Sequence, residues 1–185
     1  LTLHYNIPAF EHYLNSRNFP VDIVTVTEKK PLGTGGAIKN VFETFPEMEH
    51  AAVINADTLT KVNLVDMFCY FKKFNAPAIM GLSAISDQIR YGSVNLEGNI
   101  ITSFAEKRSA GRGLINNGSY ILSKSIFDDL GDVFSIERDV FVNLVKSSDL
   151  LGYLVKDDDF LDIGTPEDYN KLLKNYRKSD YAISF

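Results

Sequence analysis

Apolar positions in this chain recur first with helical spacing and then with the shorter rhythm of strands. Ile7 to Leu14 places Phe10, Tyr13 and Leu14 on one side of a short helix after Pro8. The β-branched run Val21–Thr27 reads as a strand. Ala37 to Phe45 is helical. Ala51–Ala56 is a short, nearly continuous apolar run that suits a buried parallel strand, ending at Asp57. Asn63 can cap a helix reaching about Phe74, with Leu64, Met67, Phe68, Phe71 and Phe74 on one side. Pro77 opens a strand over 78–85. From there the pattern shortens. Tyr91–Leu96, a turn at Glu97-Gly98-Asn99 and Ile100–Glu106 predict an antiparallel hairpin. Leu114–Leu122 predicts a further strand, and 126–130 and 136–145 predict helices. Leu151–Val155 and Phe160–Ile163 are strands around the charged turn 157–159. Thr165-Pro166-Glu167-Asp168 starts a last helix, with Thr165 as N-cap and Asp168 completing a capping box.

This order predicts an α/β fold. The sheet is expected to be mixed and mostly parallel, Rossmann-like, with an antiparallel portion beside it. One domain over 1–178 with a tail at 179–185 is expected from length and from the lack of a linker or repeat.

Between the strand 21–27 and the helix 37–45 lies Glu28-Lys29-Lys30-Pro31-Leu32-Gly33-Thr34-Gly35-Gly36. Three glycines in four positions leave the backbone room to approach a ligand, and a helix start beyond them offers N–H groups to a phosphate, ribose or base edge. The plainer alternative is a tight turn that binds nothing. The loop does not fit the dinucleotide fingerprint, because Ile38 stands where its last glycine belongs. It also lacks the Lys-Ser/Thr end of a P-loop. That counts against a dinucleotide oxidoreductase.

A formal net charge of −5 argues against a nucleic-acid surface, and no apolar run is long enough to span a bilayer. The single cysteine, Cys69, excludes an intrachain disulfide and fits a reducing, cytoplasmic setting. It is expected as a small core or flank residue. His4, His12 and His50 have no ligand spacing.

Asp57 and Asp162 each end or occupy a short apolar strand. Two carboxylates beyond strand ends can share one Mg²⁺, or each can simply cap a turn. Glu106-Lys107 can take sugar hydroxyls and a phosphate, or form a surface pair. Asn116, in Asn116-Asn117-Gly118, can read hydroxyls or mark a bend in a strand; Gly92 can let a sugar ring lie against the backbone or punctuate a strand entry; Glu137 can bind hydroxyls or complete a helix start.

The string Glu-x-x-Pro-Leu-Gly-Thr-Gly-Gly-Ala resembles the nucleotide loop of sugar-1-phosphate nucleotidyltransferases, most of all the D-glycero-D-manno-heptose 1-phosphate guanylyltransferases. Further pieces follow in that family's order. They are Asn55-Ala56-Asp57-Thr58, Arg90-Tyr91-Gly92-Ser93-Val94, Ser103-Phe104-Ala105-Glu106-Lys107, Gly113-Leu114-Ile115-Asn116-Asn117-Gly118-Ser119-Tyr120, Phe134-Ser135-Ile136-Glu137 and Asp162-Ile163-Gly164-Thr165-Pro166-Glu167-Asp168-Tyr169. The resemblance implies transfer of a nucleotidyl group, with GTP favoured as donor and heptose 1-phosphate as acceptor, for surface glycan precursors. It implies that Leu32, Gly33, Thr34, Gly35 and Gly36 meet the nucleotide and that Asp57 and Asp162 hold Mg²⁺. Lys107 would meet the sugar phosphate, and Gly92, Glu106, Asn116 and Glu137 the sugar. A UTP- or dTTP-using variant, and a non-catalytic sugar-nucleotide-binding module or partner subunit, are the alternatives. Homo-oligomerisation is left open.

Two departures stand out. Ala56 occupies the position of the family's glycine. Residue 1 is Leu, and nothing matches the family's opening glycine-rich loop with its Arg. The chain is therefore expected to be the C-terminal two-thirds of an enzyme, inactive alone.

Overall fold

The computed structural model describes residues 1–85, 92–105, 113–156 and 160–175. It forms two compact units, residues 1–49 with 124–141, and residues 50–123 with 142–185.

In the first unit, β1 (Thr2–Leu3) pairs in parallel with β2 (Val26–Thr27), on either side of helix α1 (Ile7–Asn15). The strand expected over 21–27 is thus confined to its last two residues. Its partner offers only two residues of pairing, and Val21 and Val24 are exposed. Helix α2 (Gly33–Thr44) begins four residues earlier than its apolar pattern, so the glycines form its first turn. Phe42 is buried against Phe127, with ring centroids 5.6 Å apart, and Phe127 meets Phe134 at 6.1 Å. Phe127 closes a 3-10 turn, Lys124–Phe127, and Ile136–Phe141 is a π-helix.

The second unit is built on a sheet of six strands. These are β3 (His50–Ile54), β5 (Ala78–Ile85), β6 (Ser93–Glu97), β7 (Ile100–Ala105), β8 (Gly113–Ser123) and β9 (Leu150–Val155), in the order β3-β8-β5-β9-β7-β6. A short antiparallel pair, β4 (Thr58–Leu59) with β10 (Leu161–Asp162), stands apart from it. The helices are α3 (Leu64–Phe74), α4 (Val142–Lys146) and α5 (Pro166–Asn175).

The sheet is mixed, as the sequence suggests, but the parallel share is smaller than expected. β5 and β9 run parallel, while β8 lies between β3 and β5 and is antiparallel to both. This insertion also moves β3 to the edge of the sheet. It is half-exposed there instead of buried between parallel neighbours.

Local chemistry behaves as the sequence indicates at several ends. Asn63 Oδ1 accepts the N–H groups of Val65 and Asp66 at 3.0 and 3.1 Å, capping α3. Thr165 Oγ1 accepts from the Asp168 N–H at 3.2 Å and donates to its carboxylate at 2.6 Å, opening α5. The β6–β7 hairpin turns at Gly98, with φ of 62°. Met67 and Phe71 of α3 bury against Ile79, Ile121 and Leu151 of the sheet. Each such side chain contributes about 1.5–3 kcal/mol by leaving water. Cys69 is exposed on α3.

Candidate functional site

Gly33 and Thr34 of the glycine turn are exposed, whereas Gly35 and Gly36 are buried. The Gly35 and Gly36 N–H groups both donate to Phe134 O, at 3.1 and 3.3 Å, and the Phe134 N–H donates to Leu32 O at 3.0 Å. A Cβ at Gly36 would lie 2.1 Å from Asp132 O, and one at Gly35 2.2 Å from the Phe134 ring. These glycines admit the segment 132–136, not a ligand, on that side. Two of the N–H groups expected from the helix start, those of Gly35 and Gly36, are therefore already used. Lys39 secures the same segment. Its Nζ donates to Leu130 O at 2.6 Å and Gly131 O at 3.3 Å, near Glu43 and Asp132.

The turn also borders a cleft of about 270 Å³, lined by Glu28, Lys30, Leu32, Gly36, Asn40 and Asp132 among others. The Glu28 carboxylate accepts the Leu32 N–H at 2.9 Å through Oε2. That closes the loop between β2 and α2 and holds a half-buried carboxylate at the wall of the cleft. A carboxylate can only accept, so the groups that suit it are N–H donors such as those on a base edge.

Within the second unit, β8 carries a bulge. Met80 pairs with Tyr120 and Leu82 with Asn116, so residues 117, 118 and 119 oppose Gly81 alone. A Cβ on Gly81 would sit 2.1 Å from Ser119 Oγ. The bulge turns Asn117 fully inward. Its Nδ2 donates to Ser83 Oγ at 3.0 Å and Thr60 Oγ1 at 3.3 Å, while its Oδ1 accepts from the Ser119 N–H and hydroxyl. Gly118 O accepts the Asn55 N–H at 2.8 Å, and Gly118 itself (φ 77°) lies against Asn55 and Thr58. The bulge thus supports the turn that bears Asp57.

Strand β10 completes the arrangement. Asp162 pairs with Thr58, and the Ile163 N–H donates to Asp57 O at 2.8 Å. A Cβ at Gly164 would be 3.1 Å from Asp162 Oδ1 and 3.4 Å from Asp57 Oδ2, so both carboxylates lie beside Gly164. Asp162 Oδ1 also accepts the Gly164 N–H at 2.8 Å. Two neighbouring carboxylates suit a hard divalent cation that draws its remaining ligands from phosphate and water. Among the described residues, no group of three or more His, Cys, Asp or Glu side chains is placed to hold a metal by itself.

The other expected residues fall variously. Glu106 and Lys107 lie outside the described residues, as do Arg90 and Tyr91. Gly92 is exposed at the entry to β6. Asn116 has both ends of its amide engaged, donating to Tyr120 Oη at 2.8 Å and accepting from the Gly118 N–H at 2.9 Å. Glu137 meets Thr34, in the first unit. Asn117, Gly164 and Phe134 had no assigned role in the sequence. Only Asn117, an amide inside an apolar strand, carried a signal that could have marked it.

Comparison with known proteins matches residues 1–179 to the family described as nucleotidyl transferase. A D-glycero-alpha-D-manno-heptose 1-phosphate guanylyltransferase of Aneurinibacillus thermoaerophilus is 36% identical over 176 residues, 94% of this chain and 76% of the relative. The enzyme of that name from Campylobacter jejuni is 37% identical over 179 residues, 95% of this chain and 77% of the relative. The crystal structure of HddC from Yersinia pseudotuberculosis superposes with a TM-score of 0.84 at 32% identity, over 96% of this chain and 77% of HddC. HddC has also been solved in complex with GMP-PN, and that structure superposes at 0.80 with 32% identity, over 95% of this chain and 76% of HddC.

Proposed function

The chain belongs to the nucleotidyl transferase family, and we propose that it serves guanylyl transfer from GTP to a sugar 1-phosphate, with a heptose 1-phosphate as acceptor. The likeness to two heptose 1-phosphate guanylyltransferases over more than nine-tenths of the chain carries this reading. The match to HddC, solved with GMP-PN, supports the choice of a guanine nucleotide.

In this reading an oxygen of the sugar phosphate attacks the α-phosphorus of GTP. The new P–O bond forms as the bond to pyrophosphate breaks, and a GDP-sugar results. Such a reaction asks the protein for in-line positioning and for stabilisation of charge on phosphate oxygens. The loop Leu32–Gly36 orients base and ribose from its cleft side, with the Glu28 carboxylate beside it. Asp57 and Asp162 hold Mg²⁺, chosen for their oxygen-only donor set. When bound, the ion offsets negative charge on the phosphate oxygens. Lys107 takes the sugar phosphate. Glu106, Asn116 and Gly92 take the sugar, Asn116 on condition that its amide leaves Tyr120 or Gly118. No helix among the described residues is long and apolar enough to cross a membrane, and we place the enzyme in the cytoplasm.

Pyrophosphate release tests the reading. GTP, UTP, dTTP and CTP are each offered, with D-glycero-α-D-manno-heptose 1-phosphate and Mg²⁺, to the complete gene product that carries this chain. Release with GTP and not the others is expected. A preference for UTP or dTTP would replace the base assignment, and release without a sugar phosphate would remove the acceptor.

A further inference from the structure

The family resemblance gives Glu137 to the sugar, but its surroundings in the first unit point elsewhere. Glu137 Oε2 accepts two hydroxyl protons, from Thr34 at 2.8 Å and from Ser135 at 2.7 Å. Thr34 Oγ1 accepts the Ile136 N–H at 3.0 Å. A threonine hydroxyl has a single proton, and here it is committed to the carboxylate while the oxygen is occupied by a backbone donor. Thr34 is thereby fixed in both roles.

Thr34 sits between Gly33 and Gly35 in the turn, where no neighbouring side chain limits the backbone. Its own side chain is the turn's handle. The backbone bonds of Leu32, Gly35 and Gly36 all run to Phe134, three residues before Glu137. Ser135 is anchored in its turn by Asp139, whose Oδ2 accepts the Ser135 N–H at 2.8 Å while its N–H donates to Ser135 O at 3.0 Å. All this occurs at the mouth of the π-helix Ile136–Phe141, a wide and uncommon turn found often at functional sites.

We propose that Glu137 is a positioning residue for the nucleotide loop. It holds Thr34, and through it the turn 32–36, in the shape that receives the base and ribose, and it makes no contact with the sugar. The inference rests on the guanylyl-transfer reading for what the loop binds. A carboxylate is required only as a double acceptor. Glutamine's carbonyl oxygen can accept both protons, whereas alanine cannot accept either.

The test compares wild type, Glu137→Ala, Glu137→Gln and Thr34→Val, alone and combined. Calorimetry gives affinities for GTP and for heptose 1-phosphate, and amide exchange is read at Gly35 and Gly36. Glu137→Ala is expected to weaken GTP about tenfold, the effect of ~1.4 kcal/mol, and to leave heptose 1-phosphate within about twofold, well below one hydrogen bond to a charged group. Exchange at Gly35 and Gly36 should quicken. Glu137→Gln should restore both, and Thr34→Val added to Glu137→Ala should change little more, because the pair acts as one unit. Weakened sugar phosphate with unchanged GTP would overturn the proposal, as would a glutamine variant that behaves like alanine. If wild type binds no guanine nucleotide, the guanylyl reading falls. The exchange data with their glutamine rescue then decide positioning without it, and unchanged exchange in Glu137→Ala would refute it.

Discussion

Replacing Gly36 with alanine tests what the glycine turn is for. A Cβ there would lie 2.1 Å from Asp132 O and 2.9 Å from Leu32 Cβ. The nearer atom belongs to the backbone, so relief requires the segment around 132 to retreat by more than 1 Å toward an ordinary contact near 3.4 Å. Overpacking of this kind costs about 1–3 kcal/mol. The retreat also stretches the bonds from Gly35 and Gly36 to Phe134 O, now 3.1 and 3.3 Å, each contributing about 0.5–1.5 kcal/mol. Alanine's better helix propensity offsets about 1 kcal/mol. A net loss of about 2–4 kcal/mol is expected, local to the first unit. Gly131→Ala is the control, since a Cβ there meets nothing within 4 Å. Urea unfolding followed by amide exchange in each unit reads the loss. With a slope of about 2 kcal/mol per molar, the midpoint should fall by about 1–2 M, while Gly131→Ala stays near wild type. If Gly36→Ala is as stable as Gly131→Ala, the glycines are not there to admit residues 132–136. The ligand-facing role expected from sequence would then be restored.

Three other expectations follow from the geometry. Gly164→Ala should displace the Asp162 carboxylate from beside Asp57, since its Cβ would stand only 3.1 Å from Asp162 Oδ1, while Asp57 Oδ2 at 3.4 Å is an ordinary contact. Titration with Mn²⁺ followed by electron paramagnetic resonance should show weaker binding without loss of fold, and unchanged binding would argue against a shared ion. Asn117→Ala should destabilise the second unit by about 2–4 kcal/mol, because it strips hydrogen-bond partners from a fully buried cluster; a loss under about 0.5 kcal/mol, the range of an ordinary surface change, would contradict this. The Tyr153 phenol is held above its ordinary value of 10.0, first by burial and then by the nearby Asp66 carboxylate. The folded state therefore keeps the proton longer than the unfolded chain. Stability is fully present below about pH 10 and declines as pH rises through the folded value. Tyr153→Phe should flatten that decline in a urea series from pH 8 to 11, and an identical decline in the variant would show that another group causes it.

Features set by neighbours in sequence were legible. Asn63 caps α3 and Thr165 with Asp168 opens α5 because those contacts span two or three residues. Gly98 marks the hairpin for the same reason. Asp57 and Asp162 were also singled out, and the β4–β10 pair brings them together. Features set by distant segments were hidden. Nothing local in Ala51–Ala56 shows that β8, some seventy residues on, will lie beside it, so a buried parallel strand was expected where an edge strand stands. The glycines announce close approach but not by what; Phe134 and Asp132 are about a hundred residues away. A bend at Asn116-Asn117-Gly118 was one of two readings the sequence offered, but its cause was hidden, because the bulge depends on Gly81 leaving space across the sheet.

On the proposed reading, this chain binds a guanine sugar nucleotide with a metal held through Asp57. A calorimetric titration with GDP-heptose and Mg²⁺, beside Asp57→Ala, tests it most directly. Saturable one-site binding is expected, and Asp57→Ala should weaken it at least about tenfold, or ~1.4 kcal/mol. A folded chain that gives no heat with GDP-heptose, or an Asp57→Ala variant that binds as wild type does, would contradict it.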